Sequence, residues 1–188
     1  MTKKILLAFL ILTCCSTLGF AAPSGGATGN SIGAMLGVGW VDTSSNALTW
    51  GVELKFALVD KITLGVYTLS YGSSISLQHE APDYAADVSS SARQYGLSSG
   101  YKIGFLPGGE IGMRAAYVRT ENSALVSSSG INRVNNIDTG ISWGLAPRVA
   151  VEFPFGKVSV GSEVDYFFGL GQNAPNGFFF LIPLRYYY

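Results

Sequence analysis

Cysteine is scarce in this chain, and the two that occur, Cys14 and Cys15, stand together near the N-terminus. Everything after them lacks a thiol for a disulfide, a thiolate-bound metal or a cysteine nucleophile. Histidine is rarer still: the single one, His79, lies in a polar stretch near Ser76, Glu80 and Asp83, where an isolated imidazole reads as solvated. Charged residues make up 13% of the chain, against about 25% in an ordinary soluble domain. Lys plus Arg and Asp plus Glu cancel at 12 each, so no net field draws nucleic acid. Beyond the N-terminus no apolar run approaches the roughly 18 residues of a transmembrane helix. Metal clusters and phosphate-cradling loops are absent too, and no cofactor is expected.

What the chain does have is glycine, 24 of them, and 13% aromatics, with a mean hydropathy of only +0.31. Strands that are apolar on one side and small or polar on the other average to such a value. The N-terminus stands apart. Lys3 and Lys4 precede the apolar run Ile5 to Leu12, and Gly19-Phe20-Ala21 supplies small residues at a cleavage site. Residues 1–22 are expected to be a cleaved signal peptide, 23–30 a flexible lead, and 31–188 one folded domain.

From residue 31 the dominant signal is period two. Ser31 to Val41 sets Ile32, Ala34, Leu36, Val38 and Trp40 against Gly33, Met35, Gly37 and Gly39. After a turn at 42–46, Ala47 to Leu58 alternates Leu48, Trp50, Val52, Leu54, Phe56 and Leu58 with Thr49, Gly51, Glu53, Lys55 and Ala57. Ile62 to Tyr71 changes phase, either through a bulge near Val66 or because its aromatics turn inward. Gly72 to Ala92 is expected to be a long mobile loop. Strands over Arg93 to Phe105, Glu110 to Glu121, Ile137 to Phe153, Val158 to Leu170 and Phe178 to Tyr188 follow, with Asn122 to Asn136 as a second loop. Tight turns after the even strands and longer connections after most odd ones predict an eight-stranded antiparallel up-and-down transmembrane β-barrel.

The closing strand is the most telling. Phe178, Phe180, Ile182, Leu184, Tyr186 and Tyr188 share one face while Arg185 lies on the other. Pro183 fits a strand poorly, since proline donates no ladder hydrogen bond. The ending Leu184-Arg185-Tyr186-Tyr187-Tyr188 resembles the C-terminal signature of bacterial outer-membrane barrels, and the chain is similar to the small OmpA/OmpX-like group; Tyr188 stands where phenylalanine is commoner. That resemblance implies an assembly signal at Leu184, Tyr186 and Tyr188, read by the barrel-assembly machinery. The expected location is a Gram-negative outer membrane, where the chain sits as a monomer among the lipids, and the N-terminal targeting segment implies export through the inner membrane to reach it.

On the polar faces Lys55, Lys102, Arg114, Arg148 and Arg185 stand against Glu53, Glu110, Glu152, Glu163 and Asp165. An eight-stranded barrel is only wide enough for side chains to fill it, so these charges must pair, as a lumen charge network that plugs the barrel. Glu163 and Asp165 are expected to pair with Arg148 and Arg185 on the adjacent strands. Trp40, Trp50, Trp143, Tyr166 and Tyr186 are expected to form interface girdles. The function expected is structural or surface-interacting, without catalysis. The alternatives are a narrow porin-like channel for ions or small solutes and, third, a lipid A-modifying rim enzyme.

Overall fold

The structure, a computed structural model, describes residues 29–41, 44–78, 84–128, 131–171 and 174–188, with the backbone alone at 44–46, 73–78, 84–88, 123–128 and 131–139. The expected signal peptide with both cysteines, and His79 with its acidic neighbours, lie outside the described residues. Eight strands run β1 Ser31–Val41, β2 Ser44–Val59, β3 Ile62–Gln78, β4 Tyr84–Lys102, β5 Gly109–Ser128, β6 Ile131–Phe155, β7 Val158–Leu170 and β8 Gly177–Tyr187. Each pairs antiparallel with the next, and β8 returns to β1 from Ser31↔Tyr187 to Val41↔Gly177. The sheet is a closed barrel, and closure removes the open edge that a sandwich would carry.

Local sequence explains the tight end. Asp60 and Lys61 turn β2 into β3, residues 103–108 turn β4 into β5, and Gly156 with Lys157 turns β6 into β7. Gly108 has a φ of 73°, and a Cβ there would lie 1.8 Å from the carbonyl oxygen of Glu152. Only glycine fits that corner. Ile103 and Phe105 therefore belong to the turn, and β4 stops at Lys102, short of the expected Phe105.

The opposite end departs further from expectation. Neither 72–92 nor 122–136 is a long loop: β3 runs on to Gln78, β4 begins at Tyr84, β5 reaches Ser128 and β6 starts at Ile131. Ladders Gln78↔Ala85, Tyr84↔Ser128 and Ser128↔Ile131 join these extensions into a four-stranded wall. It rises past the last pairs of its flanks, Leu48↔Gly72 and Trp143↔Leu170. Serine- and asparagine-rich composition argues locally for loop here, but a ladder already running below continues at one hydrogen-bonded pair after another. The turn expected at 42–46 is likewise shorter, since β2 begins at Ser44.

Alternation holds along the barrel with outward apolar and inward small or polar residues. Leu36, Trp50, Leu97, Trp143 and Leu184 are each more than half exposed. A large continuous apolar surface of this kind belongs against lipid, not water. In β3 the ladder runs without a shift through Val66, so the bulge is not there. The aromatics instead turn inward: Tyr67, Leu69 and Tyr71 are buried while Ile62, Leu64 and Val66 face out. Register shifts fall between Gly39 and Val41, between Ala57 and Val59, and between Asn122 and Ser123.

Candidate functional site

The lumen contains two stacked layers of side chains. The lower one, toward the short turns, is ionic: Glu53, Lys55, Glu110, Arg114, Arg148, Glu152, Glu163, Asp165 and Arg185 are all buried. Period two brings each of them inward from β2, β5, β6, β7 or β8. Lys102 is the exception among the expected members, half-buried at the rim opposite Glu110 in the ladder. The buried set is thus five acids against four bases, not the five against five that the sequence suggested.

Each base meets several acids. Arg185 donates from Nη2 to Glu53 Oε2 at 2.6 Å and from Nε to Glu152 Oε1 at 2.7 Å. Arg114 lies 2.6 Å from Glu163 and 3.6 Å from Glu53, and hydrogen-bonds Asp165. Arg148 donates to Glu163 at 3.0 Å and to Glu110. Lys55 donates to Glu110 at 2.7 Å and lies 3.6 Å from Glu152. Hydroxyls complete the set: Thr63 donates to Glu110 at 3.2 Å, and Ser159 and Tyr187 donate to Glu152 at 2.8 and 2.9 Å. Buried charges are tolerable only when paired and hydrogen-bonded in this way.

The pairing expected for Glu163 and Asp165 holds in part. Arg148 does reach Glu163, but Asp165, its ladder partner, is bonded by Arg114 from β5. Arg185 stays 3.7 Å from Glu163 and spends its close contacts on Glu53 and Glu152. The physical cause is reach. In a narrow lumen a guanidinium on a long stem crosses the bore as easily as it touches the next strand.

Glycines make the room. Gly33 lies between Arg185 and Glu53 in the ladder, and a Cβ on it would stand 2.8 Å from Arg185 Cγ. Added carbons at Gly100 and Gly112 would stand 2.4 Å from the carboxyl of Glu110 and 2.9 Å from Arg148 Nε.

Above the ions lies an apolar layer that sequence reasoning missed. Met35, Leu69, Val118, Phe167, Phe179 and Leu181 are all buried to 1% exposure or less. Tyr71 packs on Phe179 with ring centroids 5.0 Å apart, and Gln94 bridges Tyr67 and Tyr71 through hydrogen bonds of 3.4 Å. Arg114 joins the layers, its guanidinium carbon 4.6 Å from the Tyr67 ring centroid and its Nη2 3.1 Å from Met35 Sδ. The available signal was positional: these residues share the inward phase of the charges, and on β5, β7 and β8 they follow the charged positions toward the long-hairpin end.

On the outside, Trp40 packs on Phe178 at 5.6 Å, Trp143 on Tyr117 at 5.3 Å and Tyr166 on Phe168 at 4.5 Å. Trp50 is half exposed opposite Leu36. Leu184 and Tyr186 face outward near the end of β8, and Tyr188, one residue past it, is exposed as well. Among the described residues no group of three or more His, Cys, Asp or Glu could hold a metal.

A closed eight-stranded barrel with polar residues inside and apolar residues outside has close structural parallels. Ail of Yersinia pestis, solved with the heparin analogue sucrose octasulfate, superposes with a TM-score of 0.56 at 9% identity, over 85% of this chain and 97% of Ail. The outer membrane protein OprG of Pseudomonas aeruginosa gives 0.51 at 13% identity, over 87% of this chain and 98% of OprG. The fold is that of the small outer-membrane barrels. At such identities the likeness carries the fold and nothing finer. No family model and no curated protein matches the sequence.

Proposed function

We propose that this chain is an integral protein of the Gram-negative outer membrane whose lumen is closed, and that its role is structural or surface-interacting, not transport. The exposed apolar belt and the fold support the membrane setting. The observation that carries the closed lumen is the filling of the bore by an ionic layer beneath an apolar one, with Arg114 bonded into both. A solute would have to break paired buried charges and then pass Phe167, Phe179 and Leu181. With the bore sealed, what the barrel offers its surroundings is the four-stranded wall on β3 to β6.

In this reading the long hairpins face the cell exterior and the short turns the periplasm. Trp40, Trp50, Trp143 and Tyr166 serve as girdle residues, and Leu184, Tyr186 and Tyr188 form the face presented to the assembly machinery. The protein works as a monomer among outer-membrane lipids after export. Separation of cell envelopes on a sucrose gradient tests this. The chain should sediment with the outer membrane and resist carbonate extraction. Recovery in the soluble or inner-membrane fraction would overturn it.

A further inference from the structure

Across β3 to β6 the outward positions form level rows. Val66, Leu97, Ala115 and Leu145 are one row, and Thr68, Tyr95, Tyr117 and Trp143 the next. Above them come Ser70, Arg93, Arg119 and Ile141, and then Gly72, Ser91 and Glu121. In steps of two residues the outer wall passes from aliphatic to mainly aromatic, then to a row that carries two arginines, then to a polar row that carries Glu121. One such step is about 7 Å of strand.

Arg93 and Arg119 are direct ladder partners, both exposed on this wall. Like charges opposite one another on a sheet repel unless something negative lies between them. Glu121 meets Arg119 at 3.0 Å, with both side chains about half exposed. Among the described residues Arg93 has no such carboxylate. Two adjacent guanidinium forks match the oxygens of a phosphate. Their height selects the source of that phosphate. They stand one step above Tyr95, Tyr117 and Trp143, rings that face hydrocarbon, so a phosphate joined to acyl chains can meet both rows at once.

We propose that Arg93 and Arg119 bind the phosphate of a lipid headgroup in the leaflet at the long-hairpin end. The inference rests on the membrane reading above, and the test separates the two. Trp143, on the row below, is a diagonal neighbour of Arg119 and 61% exposed. In a W40F/W50F variant it is the sole tryptophan.

This variant is refolded into phosphatidylcholine vesicles that contain an equal fraction of one acyl-brominated lipid: phosphatidylcholine, phosphatidic acid, or a fatty acid, which has charge without phosphate. Brominated phosphatidic acid should quench Trp143 more than either of the others, and R93Q/R119Q should abolish that excess. If the double variant does not fold, R93Q alone, which leaves the Arg119–Glu121 pair in place, should reduce it. Equal quenching by all three lipids, or an excess that survives the substitutions, overturns the site. An excess that millimolar inorganic phosphate removes overturns the lipid source. Quenching by none of the lipids means that the wall does not face acyl chains, which overturns the membrane reading and the site with it.

Discussion

Arg185 and Glu53 meet across Gly33. The three lie side by side in the ladder, on β8, β2 and β1, and the 2.6 Å bond between the charged groups runs over the one position that has no side chain. A strand intervenes, yet the pair is completely buried. The ionic layer is thus built from two kinds of choice together, long charged residues and the glycines that leave them room.

Removing one partner should be costly. Arg185→Ala leaves Glu53 and Glu152 without their closest cation, and the loss should be about 3 to 5 kcal/mol of folding stability. Urea unfolding of the vesicle-inserted barrel measures it. A double-mutant cycle with Glu53→Ala should show strong non-additivity, because the two residues share one contact.

Gly33→Leu should be destabilising although it replaces no charged residue. The new side chain must displace Arg185, and overpacking of this sort costs about 1 to 3 kcal/mol. The same unfolding assay applies. A Gly33→Leu barrel as stable as the parent would mean that the glycine is not needed for the Arg185–Glu53 contact.

Facing is tested by Leu54→Arg. Leu54 is outward, paired with Ile32 and Val66 well inside the apolar belt, and a charge placed at mid-membrane should cost about 2 to 4 kcal/mol. A melting curve unchanged from the parent would contradict a lipid-facing belt.

Orientation is tested by labelling intact cells. Epitopes inserted between β3 and β4, and between β5 and β6, should be accessible, whereas one placed after Gly108 should not. Labelling at Gly108 alone would invert the barrel in the membrane.

Much of this architecture was legible in the chain because period two is strict over most strands. Glu53 and Lys55 share a face with Thr49 and Gly51 in any strand, so the inward charges could be named from parity alone. Where each charge finds its partner was not legible. Parity assigns a face, but contacts across a bore depend on strand stagger, and stagger put Arg114 against Asp165 and left Lys102 at the rim. The apolar layer escaped notice because Leu69, Phe179 and Leu181 look like lipid-facing residues until their phase is compared with that of Glu53 and Arg185. The long hairpins were obscured by composition: Ser- and Asn-rich stretches signal loop locally, while the ladder that extends them is a non-local pairing.

The closed bore is the central claim, and single-channel recording in planar bilayers tests it most directly. The unmutated protein, refolded and inserted at neutral pH, should show no steady ohmic conductance, since Arg114, Arg148 and Arg185 are held by their acids beneath Phe167, Phe179 and Leu181. A reproducible open level from the unmutated barrel would contradict the closed lumen and make the chain a narrow channel.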